Sequence, residues 1–365
     1  MKTRFMASRP SGRARTVTAV AGVLMLGLSV PAGAAQADET AKPMDANTAA
    51  TAVQHSSTGD PSQAPSRVAA HWTPERIRAA RPVAVPAPEG RPVAPQTQRL
   101  PARTGQGSAP VAGVSKEAGE AADAARTLAD VSRSAVWTAH GSMPATTVGK
   151  LYFDTPKGGS QCTASVVNSP NKSLIWTAGH CASDGNGHWY SNWRFVPDYH
   201  NGQEPLGSWT WKSVSTPKGY LNGGDKDYDL AVITLWPQNG RKVADVTGSQ
   251  GYRFNSGYTW HAHEFGYPFD THPARSGITG QDLRYCTGTT WRPGFWPFQP
   301  GQEAIHCDQG HGASGGPWLD DLQLSRGWGY LIGNVSYHNS ESSDEERSPH
   351  LGDAAVKAYD AEKNH

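Results

Sequence analysis

The run Gly310-His311-Gly312-Ala313-Ser314-Gly315-Gly316-Pro317 is the most informative stretch of this 365-residue chain. A serine between glycines at a tight turn keeps its hydroxyl accessible, and glycine at position 312 leaves room for a substrate. The backbone N–H groups of Gly312 and Ser314 can then point together at a developing oxyanion. By itself such a run is more often a plain turn. Its interpretation therefore depends on whether the chain also supplies a base and an acid.

Two earlier runs supply both groups. Thr177-Ala178-Gly179-His180-Cys181 places a histidine where an apolar strand enters a loop, and a neutral imidazole can take the serine proton and return it. Asp227-Tyr228-Asp229-Leu230-Ala231 places a carboxylate beside an apolar strand, where it can orient that imidazole. Asp227 would face the same side as Asp229, so the pattern does not separate them. The alternatives are a solvated loop histidine and an acid that ends a turn.

Taken in order, the three runs resemble the chymotrypsin-like (trypsin-like) serine peptidases, in which histidine, aspartate and serine follow one another along the chain. Asp229 follows His180 by 49 residues and Ser314 follows Asp229 by 85, spacings that suit two packed β-barrels. The Gly266-Tyr267-Pro268 run is more similar to the bacterial secreted branch, which includes the glutamyl endopeptidases. The resemblance covers residues 147 to 360, and three ordered motifs are far more specific than one.

This resemblance implies an all-β fold of two packed six-stranded antiparallel β-barrels over residues 135–365. It implies a serine endopeptidase that works through an acyl-enzyme, with Ser314 as nucleophile, His180 as general base and acid, and Asp229 as orienter. The backbone N–H groups of Gly312 and Ser314 would form the oxyanion hole. The family acid directly precedes an apolar residue and alanine, which selects Asp229 over Asp227.

The cysteines are expected to form disulfides, because the chain carries an export signal. Cys162, Cys181, Cys286 and Cys307 allow three connectivities. A disulfide within either near pair, Cys162 with Cys181 or Cys286 with Cys307, would raise the free energy of the unfolded chain by about 3 kcal/mol, because it restricts its conformations. The resemblance pairs Cys162 with Cys181.

The residues that choose the substrate side chain stay open between three interpretations. The backbone of Ser336-Tyr337-His338 matches the segment that pairs with an extended substrate in this family. Asp308 lies six residues before Ser314, where trypsins carry the acid that binds Arg or Lys, although its flanking residues differ. His338 could instead line the pocket and favour an acidic side chain, as histidines do in glutamyl endopeptidases. In the third interpretation neither residue faces the substrate.

One departure from the animal members concerns activation. They carry an acid directly before the nucleophile, which receives the new N-terminus, whereas this chain has Ala313 there. Activation by insertion of a cleaved N-terminus is therefore not expected. We expect a pro-region to shield the site or to assist folding.

The N-terminal third is predicted to be a precursor region. Residues 1–37 run from basic to apolar to Ala35-Gln36-Ala37, the order of a secretory signal peptide, although a membrane anchor is the alternative. Residues 38–134 contain one aromatic, Trp72, and 11 prolines, so we expect a mostly disordered propeptide or exposed linker, with a short helix over 114–131.

The remaining segment reads as β-structure. Short β-branched or aromatic runs recur between turn signals, and only the end is helical, with Asp353 as the expected cap of Ala354 to Glu362. The strands are expected at 148–153, 162–167, 174–178, 193–196, 230–235 and 330–335.

The composition excludes several functions and leaves two rivals. A net charge of +1 gives no basic footprint for nucleic acid or an anionic membrane. We expect an extracellular monomer that acts on peptides or proteins without a cofactor.

His261 and His263 could share a strand face and bind a metal, but no further ligand is evident, and no metal is expected. The rivals are an inactive protease-like domain that binds a protein or cell surface, and an esterase with the same triad.

Overall fold

A computed structural model describes residues 44–83, 85, 106–113, 130–293 and 301–365. The predicted signal peptide and most of the predicted helix over 114–131 lie outside these residues. The strands of the described part are β1 (Ala52–Ser56), β2 (Arg81–Pro82), β3 (Gln106–Ser108), β4 (Val131–Val136), β5 (Val148–Thr155), β6 (Gly158–Val166), β7 (Leu174–Thr177), β8 (Ser191–Pro197), β9 (Trp209–Pro217), β10 (Ala231–Leu235), β11 (Gly251–Phe254), β12 (His261–Gly266), β13 (Arg284–Thr289), β14 (Gln302–His306), β15 (Pro317–Gln323), β16 (Trp328–Asn334), β17 (Tyr337–His338) and β18 (Glu345–Pro349).

Helices are few and short in the described residues. The α-helices are α1 (Ala46–Ala49), α2 (Pro65–His71), α3 (Pro74–Ala79), α4 (Lys218–Leu221), α5 (Val243–Thr247) and α6 (Asp353–Glu362). Single 3₁₀ turns occupy Pro61–Gln63, Ala145–Thr147, Gly179–Cys181 and Lys226–Tyr228. None of these helices has the length and hydropathy needed to cross a membrane.

Six strands of the first half close into an antiparallel barrel in the order β9, β10, β7, β6, β5, β8, with β8 pairing back onto β9. Its interior is dominated by large aromatic side chains that are at most 1% exposed, including Trp176, Trp193, Trp209 and Trp211. This burial explains why β7 and β10 read as short, largely apolar runs rather than as strict alternation. The strands expected at 148–153, 162–167, 174–178, 193–196 and 230–235 all coincide with observed ones, although their ends differ by up to four residues.

The strands of the second half are divided between two sheets. β12, β13, β15 and β16 lie in a seven-stranded sheet with β3, β4 and β11, whereas β14, β18 and β17 form a sheet of three. Between β16 and β18 a side chain replaces the backbone ladder, because Asn334 N–H donates to Ser348 Oγ at 2.8 Å. The all-β prediction is confirmed, with a closed six-stranded barrel in the first half and two sheets in the second.

Residues 44–83, here called the N-terminal arm, differ from the predicted disorder. β1 pairs antiparallel with β9, from Ala52 opposite Pro217 to Ser56 opposite Ser213, and β2 pairs parallel with β6. Trp72 is 4% exposed, lies 5.5 Å from the Tyr152 ring and donates from Nε1 to Asn192 O at 2.6 Å. The arm is poor in apolar residues, but the barrel supplies the missing apolar surface and the free strand edge.

The C-terminal helix packs against the first barrel. The helix predicted over 354–362 is confirmed, but it is capped by Gly352 without a side-chain hydrogen bond, and Asp353 instead accepts from Asn255 at 3.0 Å. Glu362, which is fully buried, accepts from Thr234 Oγ1 at 2.7 Å and from Ser213 Oγ. The helix therefore anchors the end of the chain to β9 and β10.

Candidate active site

His180 and Asp229 meet through two hydrogen bonds. The 3₁₀ turn after β7 carries His180, and Asp229 ends the turn that leads into β10, the neighbour of β7 in the barrel. Asp229 Oδ1 accepts from the His180 backbone N–H at 2.8 Å, and Asp229 Oδ2 lies 2.8 Å from His180 Nδ1. The carboxylate therefore fixes both the backbone and the ring of the histidine through Nδ1, so Nε2 is the ring nitrogen that Asp229 does not occupy.

Burial alone would raise the pKa of Asp229, which is completely inaccessible to solvent. The charges of His180 and Lys226 and the hydrogen bonds from His180 and Ser336 outweigh burial, and they hold the pKa of this carboxyl below its ordinary value. Ser336 Oγ donates to Oδ2, and Lys226 Nζ lies 3.9 Å from it. Asp229 is thus kept ionised, as an orienter of a histidine requires.

Asp227 does not contact His180. It packs so closely against Gly301 that a Cβ atom at that position would lie 2.5 Å from the Asp227 Cγ. Burial and the neighbouring charge of Asp225 raise the pKa of Asp227 to about 7. The structure therefore brings Asp229, and not Asp227, to the histidine.

The Ser314 loop is fixed by contacts with β6. Thr163 N–H donates to Ser314 O at 2.8 Å, and Thr163 Oγ1 donates to Gly312 O at 2.9 Å. Gly312 has φ +100°, a conformation that L residues with side chains rarely adopt. In the described part of the chain, neither the Gly312 N–H nor the Ser314 N–H donates to another group. Both donors are therefore available to an oxyanion.

A glycine also lets the serine loop approach the histidine turn. A Cβ at Gly315 would lie 2.1 Å from Thr177 Oγ1 and 2.8 Å from Ala178 N.

The Nε2 atom of His180 is buried and makes no hydrogen bond with any described residue. A catalytic hydrogen bond is often long without substrate and tightens in the complex.

Two disulfides support this region. Cys162 bonds Cys181, next to His180, and Cys286 bonds Cys307, next to Asp308. The pairing implied by the resemblance is confirmed. Both bridges are fully buried, and the first ties β6 to the histidine turn.

Ser314 opens onto a cleft of about 330 Å³. Of the predicted substrate residues, Ser336, Tyr337 and His338 line it. The other lining residues are Val83 and Val85 of the N-terminal region, His272, Gly310, His311, Val335, Asn339, Ser340, Glu341 and Glu346. His272 and Glu346 belong to no sequence motif and reach the cleft from distant positions in the chain, so no pattern predicts them there.

Asp308 lies beside the cleft rather than among the residues that line it. Arg275 Nε is 2.8 Å from Asp308 Oδ2, and the backbone N–H of Ser134 donates to Oδ1 at 2.8 Å. The carboxylate is 5% exposed. Its charge is already neutralised within the protein, so we assign it no role in substrate recognition.

His311, for which the sequence suggests no role, is bound to Asp270. Its backbone N–H donates to Asp270 Oδ1 at 2.7 Å, and its Nδ1 lies 2.8 Å from Oδ2. The hydrogen bond with Asp270 raises the pKa of His311. Asp270 thereby fixes the loop that carries Gly312.

Two histidine groups have metal-ligand composition without disulfide cysteines. They are Asp270 with His272 and His311, and Asp198 with His140 and His200. Neither group contains the predicted pair. In the described residues, His261 and His263 gather no third ligand.

Similarity to known proteins is found among solved structures, whereas no family model and no curated protein matches the chain. The protease Anisep from Arthrobacter nicotinovorans is 33% identical, with a TM-score of 0.55, over 61% of this chain and 98% of that one. A thermostable serine protease, AL20, from an extremophilic microorganism is 29% identical, with a TM-score of 0.55, over 60% and 99%. A Glu endopeptidase is 20% identical, with a TM-score of 0.50, over 65% and 98%, and shows the shared fold alone.

Proposed function

This chain belongs to the bacterial branch of the chymotrypsin-like serine proteases, and we propose that it is a secreted endopeptidase in which Ser314, His180 and Asp229 form the catalytic triad. The observation that carries the proposal is the buried carboxylate of Asp229, which holds the backbone and the Nδ1 atom of His180 at 2.8 Å each. A histidine that was only solvated would not need this double anchor.

In the proposed reaction the Ser314 hydroxyl attacks the scissile carbonyl carbon while His180 Nε2 takes its proton. The N–H groups of Gly312 and Ser314 bind the resulting oxyanion, each contributing about 3 kcal/mol at the transition state. His180 then gives the proton to the leaving amine, which departs and leaves an acyl-enzyme. Water, deprotonated by His180, attacks the acyl group and restores Ser314.

The substrate is proposed to be a peptide or protein that binds in an extended conformation. The segment Ser336 to His338 borders the cleft, and β17 pairs with β18 through its other edge. An extended peptide can add to such a segment as a further strand. This geometry favours a protease over an esterase, whose substrate would lack a backbone to pair.

The chain is also proposed to be made as a precursor. Val83 and Val85, which follow β2, line the cleft beside Ser314, where they would obstruct a substrate. Ala313 offers no charge for a new N-terminus, in keeping with a pro-region that shields the site. Two disulfides fit an oxidising, extracellular location. No cofactor enters the proposed reaction.

The test is covalent labelling of the purified secreted protein with a fluorophosphonate, followed by location of the label by mass spectrometry. We expect the label on Ser314 and none on the Ser314→Ala variant. A processed, folded protein that takes no label would contradict the proposal and would favour an inactive domain that binds a protein or cell surface. If Ser314 is labelled and the protein hydrolyses esters but no peptide, the result would favour an esterase.

A further inference from the structure

Glu346 is a buried carboxyl group at the wall of the Ser314 cleft. It lies on β18 opposite His338 of β17, and both residues line the cleft. Glu346 has no exposed surface, and its carboxyl is hydrogen-bonded to the facing carboxyl of Glu264, which requires a proton between the two groups. Two facing buried carboxyls are unfavourable unless a proton or another cation lies between them, so their presence at a binding cleft points to a cationic partner that arrives with the substrate.

The polar neighbours of Glu346 do not replace that partner. Its close neighbour is the carboxyl of Glu264, which is also fully buried and accepts from Gln309 Nε2 at 3.0 Å. His338 Nε2 lies 4.0 Å from Glu346 Oε2, beyond hydrogen-bond distance. Burial and the facing carboxyls of Glu264 and Asp308 raise the pKa of Glu346 well above its ordinary value. A cation in the cleft would relieve this unfavourable placement.

The three histidines of the cleft have already committed one ring nitrogen each to protein acceptors. His338 Nε2 lies 3.1 Å from Cys307 O, His272 Nδ1 lies 3.1 Å from a Glu341 carboxylate oxygen, and His311 Nδ1 lies 2.8 Å from Asp270 Oδ2. In their neutral forms, the second nitrogen of each ring is therefore a hydrogen-bond acceptor. Burial lowers the pKa of His338 to about 4, which keeps it neutral near pH 7.

The cleft therefore presents hydrogen-bond acceptors and the wall formed by two buried carboxyls. Its described lining contains no lysine or arginine. The nearby Arg275 is engaged by Asp308. An acidic substrate side chain would meet lone pairs and a carboxyl group, whereas a cationic side chain would donate to both.

We propose that Glu346 is the specificity-determining residue of this protease and selects a lysine or arginine side chain on the carbonyl side of the scissile bond. The proposal rests on the proposed function, and it assigns to Glu346 the role that the sequence offered to Asp308. The ammonium or guanidinium group would bind at the Glu346 carboxylate, with His338 as a second acceptor. A charge-assisted hydrogen bond of this kind is among the strong ones.

The test compares peptides that differ only in this side chain: lysine, arginine, glutamate or leucine. The protein is the secreted full chain after processing, and rates are normalised to the fraction that a fluorophosphonate labels. We expect lysine and arginine substrates to exceed the glutamate substrate in kcat/KM by at least 100-fold. Glu346→Gln should lower kcat/KM for the cationic substrates by 10- to 100-fold while labelling of Ser314 persists. A preference for glutamate, or an unchanged preference in Glu346→Gln, would overturn the proposal.

The matched control is Glu303→Gln, which alters another fully buried glutamate of the same three-stranded sheet, one that is bound to His350 outside the cleft. It should keep the cationic preference. If Glu346→Gln does not fold, Glu264→Gln removes the competing carboxyl and should retain or raise turnover of the cationic substrates, and a loss of their preference there would count against Glu346.

A binding measurement separates this proposal from the proposed function. Calorimetry measures the binding of butylguanidinium to the processed Ser314→Ala protein, and this measurement needs no turnover. We expect binding that weakens at least 10-fold with Glu346→Gln added. If butylguanidinium does not bind, the assignment of Glu346 is overturned. If it binds but the wild-type protein is neither labelled nor able to turn over a peptide, only the proposed protease function is contradicted.

Discussion

Ser336 connects substrate binding to the triad at the level of a single residue. Its hydroxyl donates to Asp229, while its backbone lies at the cleft edge. The substitution Ser336→Ala keeps the backbone and removes one hydrogen bond to a buried carboxylate, a loss of roughly 1.5–3 kcal/mol. We therefore expect kcat to fall by about 10- to 100-fold with KM nearly unchanged.

The measurement is steady-state kinetics on one peptide, with active sites counted by fluorophosphonate. The matched control is Ser213→Ala, which removes a hydroxyl that donates to the buried Glu362, away from the cleft. A kcat equal to wild type in Ser336→Ala would show that the hydroxyl does not support Asp229.

Lys150 is a buried cation whose charge the site does not use. It is 1% exposed, donates to Gln161 Oε1 at 3.0 Å and lies 4.2 Å from the centre of the Tyr199 ring. Burial lowers its pKa to about 7, against a partial opposing effect of Asp282. The folded protein therefore releases this proton between pH 7 and 10, where the unfolded chain keeps it, and stability rises with pH there.

We expect the free energy of unfolding of wild type, relative to Lys150→Met, to increase by about 1.4 kcal/mol for each pH unit between about 7 and 10. Below pH 7 both states of wild type bind the proton, so the difference should stay constant, with the Lys150→Met protein the more stable of the two. Urea unfolding of the two proteins over pH 5–10 measures this. A difference that does not depend on pH would mean that Lys150 is solvated.

At the level of elements, the sequence predicted the parts whose cause is local. The short apolar runs at β7 and β10 form strands, and both near cysteine pairs formed. The three motifs of the proposed triad sit on short turns that follow or precede strands, so their order and spacing sufficed to propose it. The geometry of His180 and Asp229 could not be read from spacing, but the resemblance selected the aspartate that contacts the histidine.

What could not be predicted depends on tertiary contacts. Asp308 stands at a trypsin position, but Arg275, from a distant loop, neutralises it. Glu346 gains its significance from the pairing of β17 with β18, which places it opposite His338. Composition alone suggested disorder for the N-terminal arm, because the arm itself has few apolar residues. The apolar surface on which it packs belongs to the barrel.

Trp72 is the largest buried apolar side chain of the arm. Its ring lies between the arm and Tyr152, and its indole N–H is satisfied by Asn192 O. We expect Trp72→Ala to weaken the attachment of the arm by about 3–5 kcal/mol. Limited proteolysis of the full chain should then cleave residues 44–83 at least 10-fold faster.

Arg78→Ala is the control for that experiment, because its side chain is 69% exposed on the same arm. It should leave the cleavage rate close to that of wild type. Equal rates for Trp72→Ala and wild type would mean that strand pairing of β1 and β2 holds the arm without Trp72.

At the level of the whole molecule, residues 44–365 form one unit, so cutting the chain after the arm need not release it. We expect that an added protease, acting at a recognition sequence placed within residues 86–105, yields an arm that co-elutes with the domain. Peptide turnover should rise only after mild denaturant removes the arm, because Val83 still borders the cleft.

Size-exclusion chromatography and peptide turnover before and after the cut measure this. A synthetic arm peptide, residues 44–85, added back to the separated domain should suppress turnover. Full activity immediately after the cut, with the arm still bound, would show that the arm does not obstruct the site.

The contact of His55 with two indoles gives the molecule an optical property. The imidazole of His55, on β1, stacks on Trp189 at 5.6 Å and on Trp211 at 5.3 Å between ring centres. Detachment of the arm removes that ring and admits water to both indoles, which should shift their ultraviolet emission to longer wavelength and change its lifetime. If the arm is removed in the proposed maturation, fluorescence of the unlabelled chain should report its departure in the same cuvette in which peptide turnover is followed.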